Sequence, residues 1–160
     1  MEPAQKNPQP PAQSLVEFAL TAPLLLMLLF GIIELGILLS VYIGMTNTAR
    51  EASRAGAIYQ YSGSTVGLVT DTVDLQREAY ISSVISETLH PIVDPAAVSV
   101  TVTYTPTMVL DPGVLNLYRA GDTIGVQLVY THTLFFGFLG PQTLTIRTHS
   151  AMRIETGGTD

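Results

Sequence analysis

Few side chains in this sequence could do chemistry, and they are scattered. The three histidines, His90, His132 and His149, would have to converge with a carboxylate to hold a metal. Strand alternation works against that: if even-numbered residues of the two later strands face inward, His132 points in and His149 out. There is no cysteine, hence no thiolate and no disulfide. No His-Glu-x-x-His, Gly-x-Ser-x-Gly or phosphate-binding loop occurs, and Asp111-Pro112-Gly113 reads as a turn. Thirteen acids against seven Lys and Arg argue against nucleic acid, which demands clustered cations. The reading is a protein that is not an enzyme, with no catalytic residue, metal or cofactor, and with neither nucleic acid nor a small-molecule substrate as partner.

What remains is a pair of acids set against hydrocarbon. From Phe18 to Met45 the chain runs FALTAPLLLMLLFGIIELGILLSVYIGM, 28 residues with Glu34 as the one charge. As helix this run reaches about 42 Å, against a bilayer core of about 30 Å. It is apolar on every side, which a buried core helix seldom is. It is also too long for the apolar part of a signal peptide. A single membrane-spanning helix is the expectation. Glu17 stands at its start, where a helix N-terminus favours negative charge. Glu34 lies about 24 Å further on, either near the far headgroups or facing a protein neighbour, because an acid in lipid is costly alone.

The elements that position these acids follow from pattern. Residues 2–13 hold prolines at 3, 8, 10 and 11, an extended or flexible leader. One helix from about Gln13 to about Tyr59 should end near Tyr61-Ser62-Gly63-Ser64, with Pro23 as a local weakening. Small residues recur at Gly36, Ser40, Gly44, Thr48, Ala52 and Gly56, and Gly36, Ser40 and Gly44 are candidates for close helix packing in the membrane. Beyond residue 61, Leu75–Leu89 reads as an amphipathic helix with Ile81, Val84, Ile85 and Leu89 inward and Asp74 as N-cap. Val98–Tyr104, Ile124–Tyr130 and Leu144–Ile154 alternate as strands. The fold class is α+β: a long N-terminal transmembrane helix followed by a small antiparallel sheet of at least three strands, with one helix packed on it. The expected division is 1–12 leader, 13–60 transmembrane and stalk helix, and 61–160 outer domain. Phe135, Phe136 and Phe138, around a turn, either cap the sheet's core or form an exposed hydrophobic lip for a partner or the membrane surface.

The run Gln13-Ser14-Leu15-Val16-Glu17-Phe18-Ala19-Leu20, with Pro23-Leu24-Leu25-Leu26, Gly31-Ile32-Ile33-Glu34-Leu35-Gly36 and Asn47-Thr48-Ala49-Arg50-Glu51-Ala52-Ser53-Arg54-Ala55, resembles the TadE-like family. These are pilin-like or pseudopilin components of bacterial tight-adherence (Tad) pilus systems. The resemblance is close over about residues 13 to 57, and beyond that it extends only to the pattern of strands. It implies a leader cut by a prepilin peptidase between Ala12 and Gln13, although the family usually has Gly where Ala12 stands. It also implies that Glu17 pairs with a neighbour's new N-terminus and sets subunit register. At Glu34 the family often carries an acid, whose partner the sequence does not name.

The function implied is a minor pilin or pseudopilin, a structural component for assembly of a Tad-type pilus or secretion apparatus. Its partners would be the membrane, other pilin-like subunits, the Tad assembly machinery and the peptidase. It would sit in the bacterial cytoplasmic membrane as a single-pass protein with its C-terminal domain outside. Two alternatives stand beside this: an uncleaved membrane anchor or scaffold, or a displayed adhesive or ligand-binding ectodomain.

Overall fold

A computed structural model describes residues 11–60, 70–89, 93–106, 121–134 and 142–155, the side chains of 11, 12, 70 and 71 aside. The element order is α1 (Pro11–Ala57), α2 (Thr70–Leu89), a short 3-10 turn (Pro95–Ala97), β1 (Val98–Thr105), β2 (Thr123–Thr133) and β3 (Thr143–Arg153). The α+β architecture expected from the pattern is present. The three strands form one antiparallel sheet in the order β1-β2-β3.

Period-2 alternation sets the faces of the sheet. Ile124, Val126, Leu128, Ile146, Thr148 and Ile154 are buried on one side, while Thr101, Thr103, Thr131, Arg147 and His149 are exposed on the other. The even-inward parity expected for the last two strands therefore holds, with His132 turned in and His149 out. At the far end Gly121 takes φ +87, a conformation that suits glycine. Its N–H donates to the Ile154 carbonyl at 3.0 Å, and the Ile154 N–H returns to Asp122 at 2.7 Å.

The inner face of the sheet is covered chiefly by α1. This differs from the expected single helix of the outer domain lying on the sheet; α2 lies mainly along α1. Val41, Met45, Ala49, Ala52 and Ala57 join Ile81, Ile85, Leu89, Ile124, Val126, Leu128 and Ile146 in one core. Side chains stitch α1 to β3: Ser53 Oγ lies 2.8 Å from Ser150 Oγ, and Thr148 Oγ1 donates to the Met45 carbonyl at 3.4 Å. The Glu155 N–H closes the top of this seam on the Ala57 carbonyl at 3.1 Å. The second half of α1 is thus part of the head's core rather than a bare stalk.

The reason is periodic. Glu34, Val41, Met45, Thr48, Ala52 and Ala55 recur every three, four or seven residues, so one stripe of a continuous helix meets the sheet. Below that stripe, among the described residues, nothing covers the helix. Leu20 is 75% exposed and Leu24 71%, and from Leu15 to Ile33 apolar side chains point outward on all sides. α1 is long and apolar enough to cross a membrane. The stretch left uncovered on every side is shorter than the apolar run in the sequence: from Glu34 onward one face serves the head, while Leu35, Ile37, Leu39, Tyr42 and Ile43 on the other faces stay exposed.

Within α2 the apolar row Val73, Ile81, Ile85 and Leu89 is buried, and Val84 is half-buried. The helix begins at Thr70, so Asp74 lies inside it and is not the N-cap expected from the sequence. Asp94 instead caps the 3-10 turn, accepting from the Ala96 N–H at 3.0 Å.

Candidate functional site

The candidate residues divide between the uncovered half of α1 and its junction with the head. Ala12 and Gln13 fall in the first turns of α1. Gln13 Nε2 donates to Glu17 Oε1 at 3.3 Å, one helical turn on, and Glu17 is exposed. That spacing puts the Glu17 carboxylate within reach of any polar or charged group carried by residue 13. Thr21 Oγ1 donates to the Glu17 carbonyl at 2.8 Å, just before Pro23, whose ring nitrogen offers no N–H to the helix ladder.

Glu34 marks the junction. It is 8% exposed, the first buried residue of α1, and its Oε1 lies 2.9 Å from His132 Nε2. Its partner is thus a histidine on this chain's own β2, 98 positions away in sequence. The cost of burying this carboxyl group is offset within the chain by that contact. Tyr130 stands above His132 on the same strand, with ring centroids 6.1 Å apart.

The row of small residues splits. Gly36 and Ser40 are exposed, and a Cβ added at Gly36 would meet nothing within 4 Å. They share an open groove with Leu39, Ile43, Gly44 and Asn47. Gly56 is different: an added Cβ would come within 2.7 Å of both Ile81 Cδ1 and Ile124 Cδ1. Small size at Gly56 is required by the head's own packing, whereas at Gly36 nothing among the described residues requires it. Phe135, Phe136 and Phe138 lie outside the described residues, as does most of the connection from Pro106 to Asp122.

One cluster escaped the sequence reading. Arg77 is 1% exposed; its Nη1 donates to Asp74 Oδ1 at 3.2 Å, and its guanidinium carbon sits 5.8 Å from the centre of the Tyr104 ring. It pins α2 to β1. Burial, reinforced by Asp74 and Glu78, pushes the Tyr104 hydroxyl up to about 12. The signal was there to find: Arg77 falls four residues after Val73 and four before Ile81, on the buried row, with an acid three positions back. On the surface, Arg54 and Glu51 form a 2.8 Å pair that holds the carboxyl below its usual range.

Among the described residues no three His, Asp or Glu side chains converge as a metal site. The chemistry of this arrangement is that of surfaces: an apolar rod uncovered, among the described residues, for about 28 Å, with the Glu34–His132 pair where the small head begins. Comparison with curated proteins and with solved structures gave no match. The family model described as TadE-like protein matches residues 12–54, nearly the whole of α1, and it is the family that the motifs of this stretch resemble.

Proposed function

We propose that this chain is a pilin-like structural component of a Tad-type pilus or secretion apparatus, held in the bacterial cytoplasmic membrane until it is assembled. The observation that carries the reading is the uncovered apolar half of α1 within a stretch that matches the TadE-like family. Leu15 to Ile33 as helix spans about 28 Å, close to the hydrocarbon thickness, so the rod fits one bilayer with the head outside it. The same surface then exchanges lipid for the rods of sibling subunits. Gly36 and Ser40, exposed against the described part of the head, lie on the part of α1 open to a neighbour.

In this reading residues 1–12 are a cytoplasmic leader, 13–60 the transmembrane and stalk helix whose second half also packs into the head, and 61–160 the rest of the extracytoplasmic head. A prepilin peptidase cuts between Ala12 and Gln13, and the new amino group lies one turn from Glu17. In apolar surroundings an amine and a carboxylate offset much of each other's desolvation cost, so Glu17 can capture a neighbour's N-terminus and fix register. Ala12, standing where the family usually has glycine, favours a second reading: an uncleaved anchor that scaffolds the apparatus.

Mass spectrometry of protein extracted from membranes and from sheared pili separates the two. An N-terminus at Gln13 supports the pilin reading; an intact leader in every fraction supports the anchor. Glu17→Ala should leave membrane insertion intact and abolish recovery in the sheared fraction. Undiminished recovery of that variant contradicts the role given to Glu17.

A further inference from the structure

The geometry points to a second membrane contact: the end of the β2–β3 hairpin, around Thr143 and Leu144, rests in the lipid interface beside the point where α1 leaves the bilayer. This inference rests on the membrane-spanning reading of Leu15 to Ile33.

Height along α1 carries it. Glu34 is the first residue of α1 that the head covers, and it is bound at 2.9 Å to His132 near the end of β2. His132 is the cross-strand partner of Leu144, and Thr133 of Thr143. Neighbouring strands stand about 5 Å apart, so Leu144 lies within one strand spacing of the level at which the apolar rod becomes protein-covered. The hairpin continues downward past this level, with the Leu134 N–H donating to the Gln142 carbonyl at 2.9 Å.

The chemistry of the end suits that position. Leu144 belongs to the inward-facing series of β3 yet is 45% exposed. A lone exposed leucine in water would carry no weight; this one sits near the level of Glu34, where the head begins to cover the rod. Around it stand Thr131, Thr133, Thr143 and Thr145, exposed side chains that offer both a methyl and a hydroxyl. Residues 131–134 and 142–149 include no acid, and the first formal charge up β3 is Arg147, at a height to meet phosphate. In a chain of net charge −6, a stretch free of acids among the described residues adds no repulsion of its own toward anionic headgroups. Two contacts, rod and hairpin, fix the height and the rotation of the head on the membrane, which a single helix leaves free.

The chain contains no tryptophan, so single reporters read without background. Full-length protein carrying Leu144→Trp is reconstituted in phosphatidylcholine–phosphatidylglycerol vesicles, with and without brominated acyl chains. Thr143→Trp, at an exposed position, repeats the measurement should Leu144→Trp disturb packing. Leu26→Trp reports the span, and Thr105→Trp reports the opposite end of the sheet, about 35 Å up α1. The inference expects Leu144→Trp and Thr143→Trp to shift to the blue and lose most of their emission in brominated lipid, with Thr105→Trp unaffected. Quenching of Leu26→Trp with neither hairpin reporter quenched overturns the second contact and leaves the span standing. A Leu26→Trp reporter that is not quenched overturns both.

Discussion

Glu34 Oε1 and His132 Nε2 lie 2.9 Å apart, and this bond joins the foot of the sheet to the middle of a 47-residue helix. It divides α1 into two regimes. Above it, one face of the helix is core; below it, the helix is uncovered. A carboxylate at such a boundary needs a donor, and β2 brings one. His132→Ala removes that bond, and loss of a hydrogen bond to a largely buried charged group costs about 1–3 kcal/mol. Glu34→Leu combined with His132→Leu should recover part of this loss, because neither member of the pair is then left buried without the other. Chemical denaturation of the detergent-solubilised protein measures both, as a double-mutant cycle with a coupling above about 0.5 kcal/mol.

Two ion pairs three residues apart in sequence should behave in opposite ways. Arg77 is buried against Asp74 and the Tyr104 ring, so Arg77→Ala removes a desolvated cation and leaves its acid behind, costing about 3 kcal/mol. Arg54 and Glu51 are bathed in solvent, and Arg54→Ala should give no measurable change in unfolding midpoint. Equal effects from the two substitutions would contradict the burial of Arg77.

The glycines of α1 make a similar contrast. Alanine is a better helix former than glycine by about 1 kcal/mol. At Gly56 the added methyl meets Ile81 and Ile124, both wholly buried, and overpacking of about 1–3 kcal/mol outweighs that gain. Gly56→Ala should therefore lower the melting temperature. Gly36→Ala should raise it slightly or leave it alone, while the bulkier Gly36→Leu should leave the fold intact and reduce recovery in sheared pili.

Tyr104 gives the head an alkaline limit. Its hydroxyl is raised to about 12 in the folded protein, above the usual value near 10, because burial disfavours the phenolate. A group raised on folding contributes its stability in full below the unfolded value and loses it as pH climbs through the folded one. Stability should thus fall between about pH 10 and 12. Tyr104→Phe should flatten that fall, and an unchanged pH profile for this variant would contradict it.

Much of this was legible in the sequence, and the failures have physical causes. The strands declared themselves by alternation of Val98–Tyr104, Ile124–Tyr130 and Leu144–Ile154, and α2 by its row of Ile81, Ile85 and Leu89. The division within α1 did not, because Val41, Met45 and Ala49 are as apolar as the residues below them. Composition cannot tell a surface made for lipid from one made for a sheet. The partner of Glu34 depends on how far down the helix the hairpin runs, which no local pattern records. Arg77 was readable by its place on the buried row, but charge on a helix is ordinarily a mark of solvent.

The most direct test reads where along α1 lipid gives way to the head. The chain has no cysteine, so single cysteines report alone. In sealed vesicles of full-length protein, Leu20→Cys and Leu28→Cys should resist a membrane-impermeant maleimide from either side. Tyr42→Cys and Asn47→Cys, exposed positions above Glu34, should react from the side of the head. Ready labelling of Leu20→Cys and Leu28→Cys in intact vesicles would contradict a rod that lies in lipid up to Glu34.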